Sequence, residues 1–170
     1  MPIQDAEELF ITILSNVRAR EERSLQIWQE MSQMAEREEV KEILETRVFL
    51  TKEAIHNLDE AFRLLGKQPI QPTTTRLHDV FVEDFRREYN EIPSPQLKAL
   101  YVIHKAQSLV QLQISAYTGL IAMADFMGDI PVSALLETNR AAEMVFVDRA
   151  KLLMRMIGEA VVARRLRKAA

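Results

Sequence analysis

From Asp5 to about Ala35 the apolar positions Leu9, Phe10, Ile13, Val17, Trp28, Met31 and Ala35, joined by Ser24, recur every three or four residues. That spacing lines one face of a helix, so a first long helix is predicted there. A second runs from Arg37 or Glu38 to Leu65, with Val40, Leu44, Val48, Leu58, Phe62 and Leu65 on its apolar stripe and Gly66 as its stop. Lys67-Gln68-Pro69 breaks the pattern, and the proline- and threonine-rich stretch from Pro69 to Thr75 reads as an ordered connection because both flanks are strongly helical. A shorter helix is predicted from Arg76 to about Tyr89, its apolar side carrying Leu77, Val80, Phe81 and Phe85. Pro93 and Pro95 then enforce a corner. A third long helix extends from Pro95 to Met127 before Gly128, and a fourth starts near Pro131, whose missing N–H costs nothing in a first turn. Four long helices with one short insert predict an all-α four-helix bundle with a crossover between the second and third.

Composition narrows the class further. The 170 residues are 48% hydrophobic and 28% charged with only four glycines, which fits one helical domain over residues 1–170 with a core of its own. The absence of cysteine excludes disulfides, thiolate metal sites and cysteine nucleophiles. The amino terminus lacks the basic and apolar segments of a signal peptide, and no stretch is apolar enough to span a bilayer, so a soluble cytoplasmic protein is expected. A formal net charge of −3 gives no general attraction for nucleic acid, so no nucleic-acid partner is expected. The basic tail over residues 163–170, with Arg164, Arg165, Arg167 and Lys168, complements a helix C-terminus and could also tether an acidic partner.

Between Gln107 and Tyr117 the chain reads Gln-Ser-Leu-Val-Gln-Leu-Gln-Ile-Ser-Ala-Tyr, which resembles the third long helix of the YciE/YciF-type ferritin-like proteins, typically Val-Glu-His-Tyr-Glu-Ile-Ala-Ser-Tyr. The opening Leu9-Phe10-Ile11-Thr12-Ile13-Leu14-Ser15-Asn16 is similar to that family's Leu-Phe-Val-His-Leu-Leu-Ser-Asp. The resemblance implies a ferritin-like bundle, homodimers and a link to stress responses. It also implies a metal centre, but the ligand positions are mostly changed. Val110, Gln111 and Gln113 stand where Glu, His and Glu are expected, and Arg47, Val48, Phe49, Leu50 and Thr51 stand on His-Leu-Glu-Glu-Thr. The first-helix glutamate falls on Glu21, and in the fourth helix only Glu143 and Asp148 are candidates.

A dinuclear carboxylate centre needs about four carboxylates and two histidines converging inside the bundle, so no metal or other cofactor is favoured. If an atypical iron or manganese site existed, it would draw on Glu21, Glu143, Gln111, Gln113 and His104. Glu53-Ala-Ile-His56 has ligand spacing, yet at about 100° per residue it lies opposite the buried stripe of its helix and reads as a solvated or interface face. His78 and His104 have no carboxylates at ligand spacing. Arg47 falls on the buried stripe of the second helix and Glu21 on the buried side of the first, so a buried Glu21–Arg47 ion pair in place of the metal is expected, with Glu143 able to approach. The other reading is that Arg47 extends its head to the surface. Phe49, Leu109, Leu112, Val145 and Val147 fall off the predicted core stripes and, with Glu53 and His56, mark a candidate homodimer interface.

No phosphate loop, nucleophile elbow or catalytic triad is visible. The leading expectation is a non-catalytic ferritin-like bundle with a binding or structural role, and the second is a ferroxidase-like di-metal protein. A third places the function in the basic C-terminus.

Overall fold

A computed structural model describes residues 3–72 and 76–169, except the side chains of 165, 168 and 169. Thr73–Thr75 of the predicted connection, and the Arg165 and Lys168 side chains of the basic tail, lie outside the described residues. Among the described residues five helices follow in order: α1 (Ala6–Met34), α2 (Glu38–Leu65), α3 (Arg76–Glu91), α4 (Pro95–Met127) and α5 (Ile130–Ala169).

The helix ends follow from local chemistry. Asp5 caps α1 by accepting from the Glu8 backbone N–H at 2.8 Å, while the Glu8 carboxylate accepts from the Gln4 N–H, so two otherwise unpaired donors are satisfied reciprocally. Ser94 caps α4, and Pro95 occupies its first position. Gly66 and Gly128 end α2 and α4 with φ of 63° and 80°, a left-handed backbone that glycine adopts without steric cost.

Two apolar clusters fix the topology. One joins Phe10, Leu14 and Val17 of α1 to Leu58 and Phe62 of α2, Leu120 and Ala124 of α4, and Val132 and Leu136 of α5. The other joins Trp28 and Met31 to Val40 and Leu44, Ile103 and Ala106, and Phe146 and Ala150. α1 and α5 therefore run from the first cluster to the second, and α2 and α4 run the opposite way. Each neighbouring pair is antiparallel, and the chain must travel the length of the bundle between α2 and α4. α3 lies on that return, and the architecture is a ferritin-like four-helix bundle.

α3 rests on α1 and α4 at the second cluster. Its buried face differs in part from the one predicted: Phe85 is buried and Phe81 packs against the cluster, as expected. Leu77 and Val80 are more than half exposed, and the residues that turn inward are His78, Val82, Phe85 and Tyr89. Partners for the polar members decide this register: His78 Nε2 lies 3.1 Å from Ser24 Oγ, and the Tyr89 hydroxyl donates to the Met34 carbonyl at 2.6 Å. Salt bridges Arg23–Asp79 and Arg86–Glu30 fasten the outer edge of the same contact.

Candidate functional site

Between the two apolar clusters lies a layer of polar side chains, one or two from each long helix: Glu21 from α1, Arg47 and Thr51 from α2, Gln113 and Tyr117 from α4, and Asn139 and Glu143 from α5. All are at most 3% exposed. Their spacing explains the layer. Arg47 and Thr51 are four apart, as are Gln113 and Tyr117, and Asn139 and Glu143, so each pair projects from one face of its helix.

Arg47 is the hub. One guanidinium nitrogen, Nη2, donates to Glu143 Oε1 at 2.5 Å and lies 3.8 Å from Glu21 Oε2. The nearer partner is thus Glu143 rather than the expected Glu21. With no exposed surface, the Arg47 head does not reach solvent. Its guanidinium carbon sits 5.4 Å from the ring centroid of Trp28 and 5.9 Å from that of Phe146, so the rings' negative faces supply part of the solvation lost on burial. The Tyr117 hydroxyl donates to Glu21 Oε1 at 2.8 Å, and Asn139 Nδ2 is shared between the Ala54 carbonyl and the Tyr117 oxygen. Asn57 Nδ2 donates to Asn139 Oδ1 at 2.7 Å, which fixes the orientation of that amide.

The layer holds two carboxyl groups and one guanidinium, so one carboxyl has no countercharge within it. Burial pushes Glu143 up to about 8, Arg47 opposes that rise, and the nearby Glu21 charge adds to it. Burial likewise raises Glu21, against the pull of Arg47 and the Tyr117 hydrogen bond. Tyr117 is raised well above its ordinary value by burial and by the Glu21 carboxylate. The arrangement is that of one ion pair plus a carboxyl that retains its proton near neutrality. On the α3 side, burial and then the charges of Arg20 and Arg23 push His78 down to about 4, leaving it neutral against Ser24.

Several predicted site residues fall elsewhere. His104 and Gln111 are exposed on the outer side of α4. Gln111 and Gln113 are two residues apart and so point about 200° away from each other, which means that only one can face the centre. Of the atypical metal set, Glu21, Glu143 and Gln113 reach the layer, and Arg47 already places a cation there. Among the described residues, no group of three or more His, Cys, Asp or Glu is placed to hold a metal ion. The donor set therefore does not fit a dinuclear centre.

Phe49, Glu53, His56 and Leu112 are on the surface, with Phe49 62% exposed. Leu109 is not, at 1% exposed, and Val147 is buried as well. The correction has a geometric cause. α4 is touched by all four other helices, and α5 by both α2 and α4, so their buried arcs are wider than a single stripe. The pattern also overlooked Thr51, Asn139 and Tyr117 as members of a polar cluster. The available signal was a polar residue four positions from Arg47, Glu143 and Gln113 respectively, each on a face otherwise apolar.

A family model for DUF892, a domain of unknown function, matches residues 5–165, and the chain belongs to that family. Among solved structures it is similar to YcfI of Rhodopseudomonas palustris, which has been proposed as a structural protein: 22% identity, 88% of this chain and 94% of that one, TM-score 0.82. It is also similar to the Escherichia coli stress protein YciF, at 16% identity over 92% and 98% of the two chains with a TM-score of 0.85. A protein from Xanthomonas campestris matches at 18% identity over 98% and 100%, with a TM-score of 0.71. No curated protein matches the sequence. At these identities the solved structures show the shared fold.

A raised carboxyl pKa carries a definite sign. The folded state binds the Glu143 proton more tightly than the unfolded state, so this group's contribution to stability is complete below the ordinary glutamate value of about 4.3 and disappears as pH rises to about 8. His78 acts in the opposite sense below about pH 6.5, so the difference between wild type and Glu143→Gln isolates the carboxyl. Urea unfolding at a series of pH values should show that difference moving in favour of the variant between pH 5 and 8. An unchanging difference would mean that Glu143 keeps an ordinary pKa.

Proposed function

We propose that this DUF892 protein is a non-catalytic ferritin-like bundle in which the Glu21–Arg47–Glu143 cluster takes the place of a metal centre, and that its role is binding or structural. The single observation that carries this reading is the fully buried guanidinium of Arg47, 2.5 Å from Glu143 and 3.8 Å from Glu21, in the middle of the bundle. A divalent cation brought to the same carboxylates would meet a permanent positive charge in a medium of low dielectric. Glutamine, the other inward donor, offers only a neutral oxygen. The similarity to a stress protein and to a proposed structural protein supports a stress-linked or architectural role over an oxidase, and a cytoplasmic setting is part of the same reading.

The partner in this reading is a second copy of the chain. Val145, Leu152 and Met156 are 52%, 65% and 67% exposed, and their spacing of seven and four residues aligns them along the outer face of α5. Phe49 adds exposed aromatic surface on the outer face of α2. An apolar line of this kind on a soluble domain is suited to association. The alternative, a ferroxidase-like protein with an atypical iron or manganese site, would have to work with Glu21, Glu143 and Gln113 alone. The third reading, tethering through Arg164 and Arg167, rests on their exposure at the end of α5.

Two outcomes check the proposal. After anaerobic incubation with Fe(II) or Mn(II) and desalting, elemental analysis should find a metal-to-chain ratio near zero; about two ions per chain, the number a dinuclear centre holds, would make the oxidase reading primary. In sedimentation equilibrium the wild type should be dimeric and Leu152→Glu/Met156→Glu monomeric. A monomeric wild type removes the homodimer.

A further inference from the structure

The polar layer contains more hydrogen-bonding capacity than its own side chains satisfy. Glu21 Oε2, Arg47 Nε and Nη1, Thr51 Oγ1, both amide atoms of Gln113, and Glu143 Oε2 are all buried without a hydrogen-bond partner in the protein. Gln113 stands out, because it is 1% exposed and neither its donor nor its acceptor is used. Its amide interacts with the Glu21 carboxylate, holding down part of the rise in that pKa, but does not close a hydrogen bond. Leaving seven such atoms unpaired would exceed what a domain of this size can tolerate in net stability.

We propose that the layer is a solvent-binding chamber in which ordered water bridges Gln113 and Glu21 to Thr51, Arg47 and Glu143. The donor set selects the ligand. Unpaired donors come from Arg47 and Gln113 and from Glu143 while it holds its proton, unpaired acceptors from Glu21 and Gln113, and Thr51 can serve as either, so the occupant must donate and accept at once. A cation satisfies only the acceptors and is opposed by Arg47, while an anion satisfies only the donors and is opposed by the two carboxyl groups. At about three hydrogen bonds per buried water, the seven atoms call for roughly two or three molecules. Glu21 and Gln113 face each other across the seam between α1 and α4.

The inference rests on the metal-free reading of the layer, yet the two fail separately: bound metal appears in elemental analysis, and missing water does not. The test is magnetic relaxation dispersion of water ²H and ¹⁷O, which counts long-lived internal waters, on wild type, Gln113→Leu and Thr51→Val. Both variants should lose dispersion amplitude while retaining their helical circular dichroism. If Gln113→Leu does not fold, the isosteric Thr51→Val carries the same comparison. Equal amplitudes in wild type and a folded variant would overturn the proposal. A crystal structure that resolves solvent and shows Gln113 bonded directly to Glu21, with no water in the layer, would do the same.

Discussion

A single guanidinium, removed from solvent and held between two carboxyl groups, constrains the rest of the molecule. Burying a charge is tolerable only when its partners are fixed at hydrogen-bond distance. Arg47 on α2 takes such a partner, Glu143, from α5, with Glu21 of α1 at 3.8 Å as a second counterion that Tyr117 on α4 holds in place. All four long helices are therefore tied to one level of the bundle. A sliding of α2 by one turn would carry the Arg47 head into an apolar cluster with no counterion. The apolar clusters above and below supply the driving force for assembly, but they are permissive about register, since a Leu can replace a Leu one turn away. The ionic layer is not permissive, and we attribute the specific alignment of the helices to it.

The same layer separates fold from chemistry. A ferritin-like bundle places inward side chains of four helices at one level, where a sufficient set of carboxylates and histidines can hold metal. Here the level is occupied by one cation belonging to the chain and by amides and hydroxyls. With one guanidinium for two carboxyls, burial and then the Glu21 charge hold Glu143 above the ordinary carboxyl range against the pull of Arg47. α3 completes the arrangement from outside. Lying over α1 and α4, it buries His78 and Tyr89 against specific polar partners and covers one end of the seam nearest to Glu21 and Gln113.

Much of the fold was legible in the sequence because helix boundaries are written locally. Asp5, Gly66, Ser94-Pro95 and Gly128 act within a turn of where they stand, and the observed ends of α1, α2 and α4 match the expected ones to within a residue or so. The buried position of Arg47 was legible for a related reason, since a charged residue on an apolar stripe has few places to go. What was not legible depends on contacts distant in sequence. The inner face of α3 is set by Ser24 and Met34, more than fifty residues away, and Leu109 is buried because α4 touches every other helix. The cluster around Gln113 combines four helices, and its unpaired atoms become visible only when those helices are assembled.

The most direct test of the central claim is the free energy of unfolding of Arg47→Met with and without Glu21→Gln and Glu143→Gln, arranged as a double-mutant cycle in which the two glutamates change together. If the guanidinium and the carboxyls form one interdependent unit, Arg47→Met alone strands buried carboxylates and costs about 3–5 kcal/mol, and adding the two glutamine substitutions recovers most of that loss. Additivity within about 0.5 kcal/mol would contradict the account and leave the bundle's alignment to its apolar clusters.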